Sequence, residues 1–318
     1  MNKILESTKR VVDQSKHVSI DRKGVAEFSK NFHHGNVSHW LSSAPFSFAD
    51  LNKEEKLAFL LVFNSISFSY WGNPKWTIEY RAKEYDGSWA MIACLHRALD
   101  EGVPILDTGY RARITKEEMA NIFRGSVEIP LLEERWKITK GVSKILLEKF
   151  GGSFTDLVKK AGRDATKLLD LILESFSSFD DSSTYNGQPV FFYKRAQLLV
   201  SDIYQLFGGE GYGDLSNVDQ LTACADYKLP QVLRKLSILN YSGDLAEKVD
   251  NKIEIAKDSE EETEIRANAI WGVEFIRQEL SRIGQEVMPI GINDHLWLMS
   301  QNKLSDDKPY HLTRTTAY

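Results

Sequence analysis

Apolar residues recur three and four positions apart along most of the chain, the spacing that lets a helix bury one face. The pattern predicts helices over Val25–Phe32, Lys53–Trp71, Trp89–Leu99, Lys116–Phe123, Leu131–Phe150, Phe154–Lys160 and Ala165–Phe176. A further helical run reaches Phe207, and another helix opens at Pro230, a residue favoured in the first turn. The longest candidate is Glu260–Ile283, with Ile265, Ala269, Val273, Ile276, Leu280 and Ile283 as its buried stripe. Asp294–Gln301 adds a short last helix. Start and stop signals agree. Asn52 with Glu54 and Glu55, Ser88, and the Ser259/Glu262 capping-box pair mark N-termini, whereas Gly102-Val103-Pro104 and Gly151-Gly152-Ser153 mark ends. The stretch from Trp76 to Tyr85 alternates apolar and polar side chains before Asp86-Gly87, which predicts a short hairpin. Asp180–Gln188 is polar and reads as an exposed loop. The prediction is an all-α fold with a minor β-hairpin, in one compact unit over 1–318. Within it a helical part of about 1–125 would pack on a part of about 126–318.

Composition narrows the class. The chain has 318 residues, 42% hydrophobic and 27% charged, enough for a sizeable core. Its net charge of −5 argues against a duplex-binding protein, which needs clustered Lys and Arg to displace counterions. Only Cys94 and Cys224 occur, in separate apolar contexts, as expected of reduced thiols in a cytoplasmic protein. The N-terminus lacks the apolar core of a signal peptide, and the longest apolar run, Leu57–Tyr70, is too short to span a bilayer. His33-His34 suggest a metal. They point about 100° apart on a helix, however, and no second cluster at ligand spacing accompanies them, so no metal is expected.

Two polar features remain. Asp226 follows the apolar run Leu-Thr-Ala-Cys-Ala and lies just ahead of the Pro230 helix, whose positive end favours an ionised carboxylate. A fixed anion in a partly dry cleft stabilises developing positive charge or activates water. The alternative role is a helix cap. Lys194 and Arg195 form a basic pair beside Tyr193 and Gln197. They either grip a phosphate or base edge, or snorkel at the surface. Phe68, Tyr70, Trp71 and Trp89 form either a planar-ligand pocket or plain core. Gly208–Gly213 follows a helix and lacks a Walker lysine, so it reads as a connector rather than a nucleotide loop.

Several segments together resemble a known family. They are Ser67-Phe68-Ser69-Tyr70-Trp71, Tyr85-Asp86-Gly87-Ser88-Trp89, Leu131–Arg135, Phe192-Tyr193-Lys194-Arg195-Ala196-Gln197 and Ala225-Asp226-Tyr227-Lys228-Leu229-Pro230, ending in Pro309-Tyr310-His311. In this order they resemble the queuosine salvage protein family, the queuosine 5′-phosphate N-glycosylase/hydrolases. The resemblance implies a helical fold similar to helix-hairpin-helix DNA glycosylases. It also implies a hydrolase that cuts the N-glycosidic bond of queuosine 5′-monophosphate without a cofactor. By matching motif, Asp226 is the catalytic aspartate and Lys194 the active-site lysine, with Tyr227 and Arg195 beside them on the substrate.

The base would be held by the segment ending in Leu296-Trp297 and by an N-terminal histidine, for which spacing selects His39. The chain departs from the family at three places. Asn293 stands where an acid often precedes Trp297, with Asp294 next to it; Leu298 stands where other members carry an acid; Cys224 replaces a phenylalanine. Two rival readings are a DNA or RNA base-excision glycosylase, and a non-catalytic helical binding protein in which Lys194 and Asp226 are a structural ion pair.

Overall fold

The computed structural model describes residues 2–33, 35, 38–302 and 307–318. Among these residues fourteen helices and three two-stranded antiparallel ribbons form, so the protein is mainly helical. His34 and Asn36 of the histidine pair and its break lie outside the described residues. No helix is long and apolar enough to cross a membrane.

Helix α1 (Lys3–Gln14) is capped by the Asn2 side chain, which accepts from the Ile4 N–H. Strand β1 (Val18–Ile20) follows, then α2 (Arg22–Lys30). This second helix begins ahead of the predicted Val25, because the Asp21 carboxylate accepts from the Lys23 N–H and starts it early. Helix α3 (Lys53–Ser65) has the expected Asn52 cap, closed reciprocally by Glu55. It stops six residues short of the predicted Trp71. The segment after it is buried but irregular. Arg135 donates to the carbonyls of Ile66 and Phe68, and the Ser69 N–H donates to the Tyr318 carbonyl. A helix would keep those groups for itself.

The predicted hairpin forms as β2 (Thr77–Tyr80) and β3 (Lys83–Asp86), with Thr77 opposite Asp86. Helix α4 (Gly87–Asp100) starts at once, so Ser88 lies inside its first turn instead of capping it. Then come α5 (Thr108–Arg113), too short to show periodicity, α6 (Lys116–Ile122), α7 (Leu132–Phe150), α8 (Phe154–Lys160) and α9 (Ala165–Ser175). The expected exposed loop at 180–188 is instead a ribbon, β4 (Ser182–Tyr185) with β5 (Gln188–Phe191). Its turn places Asn186 and Gly187 at φ 49° and 74°, the two left-handed residues of a tight hairpin.

Helix α10 (Lys194–Leu206) follows Tyr193, itself left-handed at φ 50°. Helix α11 (Lys228–Lys235) begins two residues before Pro230. Strand β6 (Leu239–Tyr241) pairs with β1 across most of the chain, a pairing that three-residue strands cannot announce. Helix α12 (Gly243–Asp250) leads to α13 (Glu260–Arg282) and α14 (Pro289–Met299), the last begun by Pro289 well before the predicted Asp294.

Helix α13 organises the packing. Ala267 and Ile270 face one apolar cluster, built from α3, α4, α7 to α10 and the β2–β3 hairpin. Ile265, Ala269, Val273, Ile276 and Leu280 face a second, built from α2, α11, α12 and α14. The predicted stripe is therefore buried up to Leu280, whereas Ile283 is exposed. Half of the expected capping box forms. The Ser259 hydroxyl accepts from the Glu262 N–H, but the Glu262 carboxylate turns to Tyr318 and Arg266.

Candidate active site

Asp226 closes a buried, extended stretch that is tied down on both sides. The Thr222 N–H donates to Gln197 Oε1 at 2.7 Å, the Cys224 N–H to Asn293 Oδ1 at 3.0 Å, and Arg266 Nε to the Ala225 carbonyl at 3.1 Å. Asp226 Oδ1 then accepts from the N–H groups of Lys228 and Leu229, at 2.8 and 3.0 Å. The carboxylate thus sits on the positive end of α11 and caps it with one oxygen. Among the described residues no donor reaches Oδ2.

Lys194 is the first residue of α10, only 6% exposed. Its backbone N–H donates to Asp181 Oδ2 at 3.0 Å, which fixes the start of the helix. Its ammonium shares two cavities with Asp226. The outer one, about 310 Å³, is of mixed polarity and includes Ser67, Lys75, Asp86, Ser88, Lys228 and Asp307. The inner one is a narrow slot walled by Trp40, Phe63, Leu198 and Cys224, with Asn293 and Asp294 at its polar end. Ser88, Lys194, Asp226 and Trp297 belong to both, so the carboxylate and the ammonium stand at the joint. The Trp40 and Trp297 rings lie 5.2 Å apart, nearly edge to face, and Trp89 lies 5.3 Å from each. Flat walls of this kind suit a planar ring.

The polar end of the slot rests on a residue that sequence reading missed. Asp202 on α10 is fully buried. It accepts from Trp40 Nε1 at 2.8 Å and Asn64 Nδ2 at 2.9 Å, and lies 3.3 Å from His39 Nε2. Its signal was available, since an acid between Val200 and Ile203 on an apolar helix face needs partners. Asp294 accepts from the Trp40 N–H, from Gln205 and from Asn293, each at 3.2 Å. Burial pushes its carboxyl up to about 6; nearby His39 opposes the rise and Asp202 adds to it. Burial also holds the Cys224 thiol protonated, far above its usual range.

The expected site residues therefore separate. Asp226, Lys194, Cys224, Asn293, Asp294 and Trp297 converge. Tyr227 lines the outer cavity, packed against Tyr310 with tilted rings whose centroids are 4.7 Å apart. His39 stands behind Trp40, on Asp202. Arg195 departs from expectation. It is 2% exposed, and its guanidinium donates to the carbonyls of Asn64, Ser65 and Ser178, away from both cavities. Burial pushes its pKa down to about 10. Leu298 packs on the apolar core and lines neither cavity. Of the aromatic quartet, Phe68 and Tyr70 line the outer cavity, whereas Trp71 does not. Among the described residues, only His17, Glu260 and Glu264 approach metal-ligand geometry. Glu264 is already filled by the N–H groups of Lys16, His17 and Val18 and by the Tyr185 hydroxyl.

A mainly helical scaffold with a carboxylate and an ammonium at the joint of a flat slot and a cleft of mixed polarity is the arrangement of an enzyme acting between a planar ring and a polar group. The profile of a family described as queuosine salvage protein matches residues 48–318. A protein of Sphaerobacter thermophilus named queuosine 5′-phosphate N-glycosylase/hydrolase is 42% identical over 99% of this chain and 97% of its own. Proteins of the same name from Mus musculus and Schizosaccharomyces pombe are 37% and 30% identical, covering 98% and 93% of this chain and 98% and 91% of their own. The chain belongs to the queuosine salvage protein family.

Proposed function

We propose that this chain hydrolyses the N-glycosidic bond of queuosine 5′-monophosphate, releasing queuine and ribose 5-phosphate for queuine salvage. The observation that carries the reading is the placement of Asp226 and Lys194 where the slot opens into the cleft. With the base in the slot, the sugar lies across that joint. The relatives named above carry this activity in their names.

Cleavage of C1′–N passes through an oxocarbenium-like sugar, as in glycoside hydrolysis. Asp226 keeps one oxygen on the α11 N-terminus, and the other is available to the cation at C1′ and to the incoming water. The water attacks C1′ and gives a proton to Asp226 while the C1′–N electron pair leaves with the base. A 7-deazaguanine has no N7 to protonate, so the leaving base needs donors elsewhere. Asp294, whose carboxyl is raised to about 6, serves as that donor, with Asn293 beside it. Lys194 places positive charge at the joint.

The wider reading follows from the same features. The helical scaffold is of the helix-hairpin-helix glycosylase kind and works as one unit, its part of about 1–125 packed on the part of about 126–318. It acts in the cytoplasm on a free nucleotide, with no cofactor; the net charge of −5 argues against duplex substrates. The test is incubation with queuosine 5′-monophosphate and chromatography for queuine, with Asp226→Asn as control. No queuine from the wild-type chain sinks the reading, as would salt-dependent duplex binding with base release from DNA or RNA.

A further inference from the structure

Resting on that reading, we propose that Asp202 is a positioning residue of the reaction: it sets Trp40 as a wall of the base slot, and its negative charge keeps on Asp294 the proton that the leaving base takes. Helix α10 lays one face along the whole site. Lys194, Leu198, Asp202 and Gln205 follow one another at four, four and three residues, the repeat of a single helical stripe. Lys194 stands at the joint and Leu198 on the slot wall, whereas Asp202 and Gln205 lie behind the polar end. Eight residues of helix, at about 1.5 Å each, put Asp202 about 12 Å along the axis from Lys194. Asp202 lines neither cavity, so it acts through the residues it holds.

Trp40 opens the short turn Trp40–Ser43, and its two N–H groups go to two different buried acids. The indole Nε1 donates to Asp202 Oδ1 at 2.8 Å, and the main-chain N–H to Asp294 Oδ2 at 3.2 Å. His39 Nε2 lies 3.3 Å from the same Asp202 oxygen. Among the described residues, these are the hydrogen bonds that tie the turn to the rest of the protein. Asn64 closes the other side of Asp202. Its amide donates to the Leu60 carbonyl at 3.1 Å and to Asp202 Oδ2 at 2.9 Å. Both Asp202 oxygens thus receive N–H donors, which fixes the side chain as an acceptor for the indole.

The same arrangement sets two buried carboxyl groups around one tryptophan. In a dry site the charge of one opposes ionisation of the other. Burial is the larger cause of the raised Asp294 carboxyl, and Asp202 adds to it while His39 opposes it. The other titratable groups facing Asp294 across the slot are Lys194, Asp226 and the Cys224 thiol. Asp202 is the one acid of this set that stands off the cavities and beside the Asp294 end.

The experiment compares pH profiles of kcat and KM for queuosine 5′-monophosphate in the wild type, Asp202→Asn and Trp40→Phe. Asparagine keeps an oxygen for the Trp40 indole and loses the charge. Its KM should stay within about threefold of the wild type, the scale of a neutral change. The limb of kcat through about 6 should move down by about one pH unit, the scale of removing one neighbouring charge. Above that limb kcat should fall about tenfold, since one unit is a factor of ten. Trp40→Phe keeps a ring and loses the bond to Asp202. Its KM should rise about fivefold or more, the scale of one lost hydrogen bond to a charged group, with the limb in place. An unmoved limb in a folded Asp202→Asn protein, or an unchanged KM in Trp40→Phe, overturns the assignment. Should Asp202→Asn fail to fold, Trp40→Phe decides alone. A wild-type chain that releases no queuine, or whose kcat lacks the limb, removes the functional reading itself, which is a different outcome.

Discussion

Arg266 and Asp181 form a buried bidentate pair, Nη1 to Oδ1 at 2.8 Å and Nη2 to Oδ2 at 2.6 Å. The pair joins the two halves of the site. Arg266 Nε holds the carbonyl just before Asp226, while Asp181 Oδ2 also accepts from the Lys194 N–H. The guanidinium lies between the Phe192 and Tyr318 rings, 3.9 and 4.3 Å from their centroids. Burial works against its charge, but Asp181 and Glu262 outweigh it and raise its pKa above the ordinary value. Carboxylate and lysine thus come from distant segments clamped by one ion pair.

Breaking that pair should damage fold and site together. Asp181→Ala strips a buried guanidinium of its bidentate partner and leaves it only the longer contact to Glu262, a loss of about 3–5 kcal/mol, measurable by urea unfolding. Arg266→Lys keeps the charge but not the fork, and should lower both the melting temperature and kcat. Unchanged kcat in a folded Arg266→Lys protein would show that the clamp is not needed for positioning.

Asp226→Asn separates chemistry from folding. The amide oxygen can still accept from Lys228 and Leu229, so the melting temperature should stay near that of the wild type. The lost charge should lower kcat by about 10²–10⁴. Asp226→Ala removes the cap as well and should cost about 1 kcal/mol more in stability. Turnover by the asparagine variant near the wild-type rate would remove Asp226 from the mechanism.

Asp294 sets a pH limb. Its carboxyl, raised to about 6, is protonated below that pH and ionised above it. As donor to the leaving base it should make kcat decline as pH rises through about 6, and Asp294→Asn should flatten that limb. A kcat that instead rises through the same range would assign it the opposite role. Stability has the same sign. The folded chain holds this proton more tightly than the unfolded one, so the group's contribution is full below 3.8 and is lost as pH rises through about 6.

Arg195 should matter to folding and not to substrate binding. Arg195→Met leaves the carbonyls of Asn64, Ser65 and Ser178 without their donor, at about 1–3 kcal/mol for each buried group left bare. KM of the folded fraction should stay unchanged; a tenfold rise would return Arg195 to the site.

Trp297→Ala should weaken base binding. Losing one stacking wall costs about 1–3 kcal/mol, a rise in KM of about 5- to 150-fold with kcat less affected. An unchanged KM would place the base elsewhere.

By itself the sequence determined most of the helices, because helical periodicity is local and repeats within a dozen residues. It also determined the hairpin ahead of α4, and it singled out Lys194 and Asp226, since charged groups beside apolar runs are visible in one dimension. Tertiary structure alone decided what those charges face. Ser67–Trp71 leaves the helical pattern because Arg135 and Tyr318 take its backbone groups, and both are distant in sequence. Arg195 and Lys194 are neighbours in the chain, yet adjacent helical residues point about 100° apart, so one enters the core and the other the cavities. Asp181, read as part of a loop, became the partner of Arg266 because a buried ion needs its counter-ion wherever the chain can bring one.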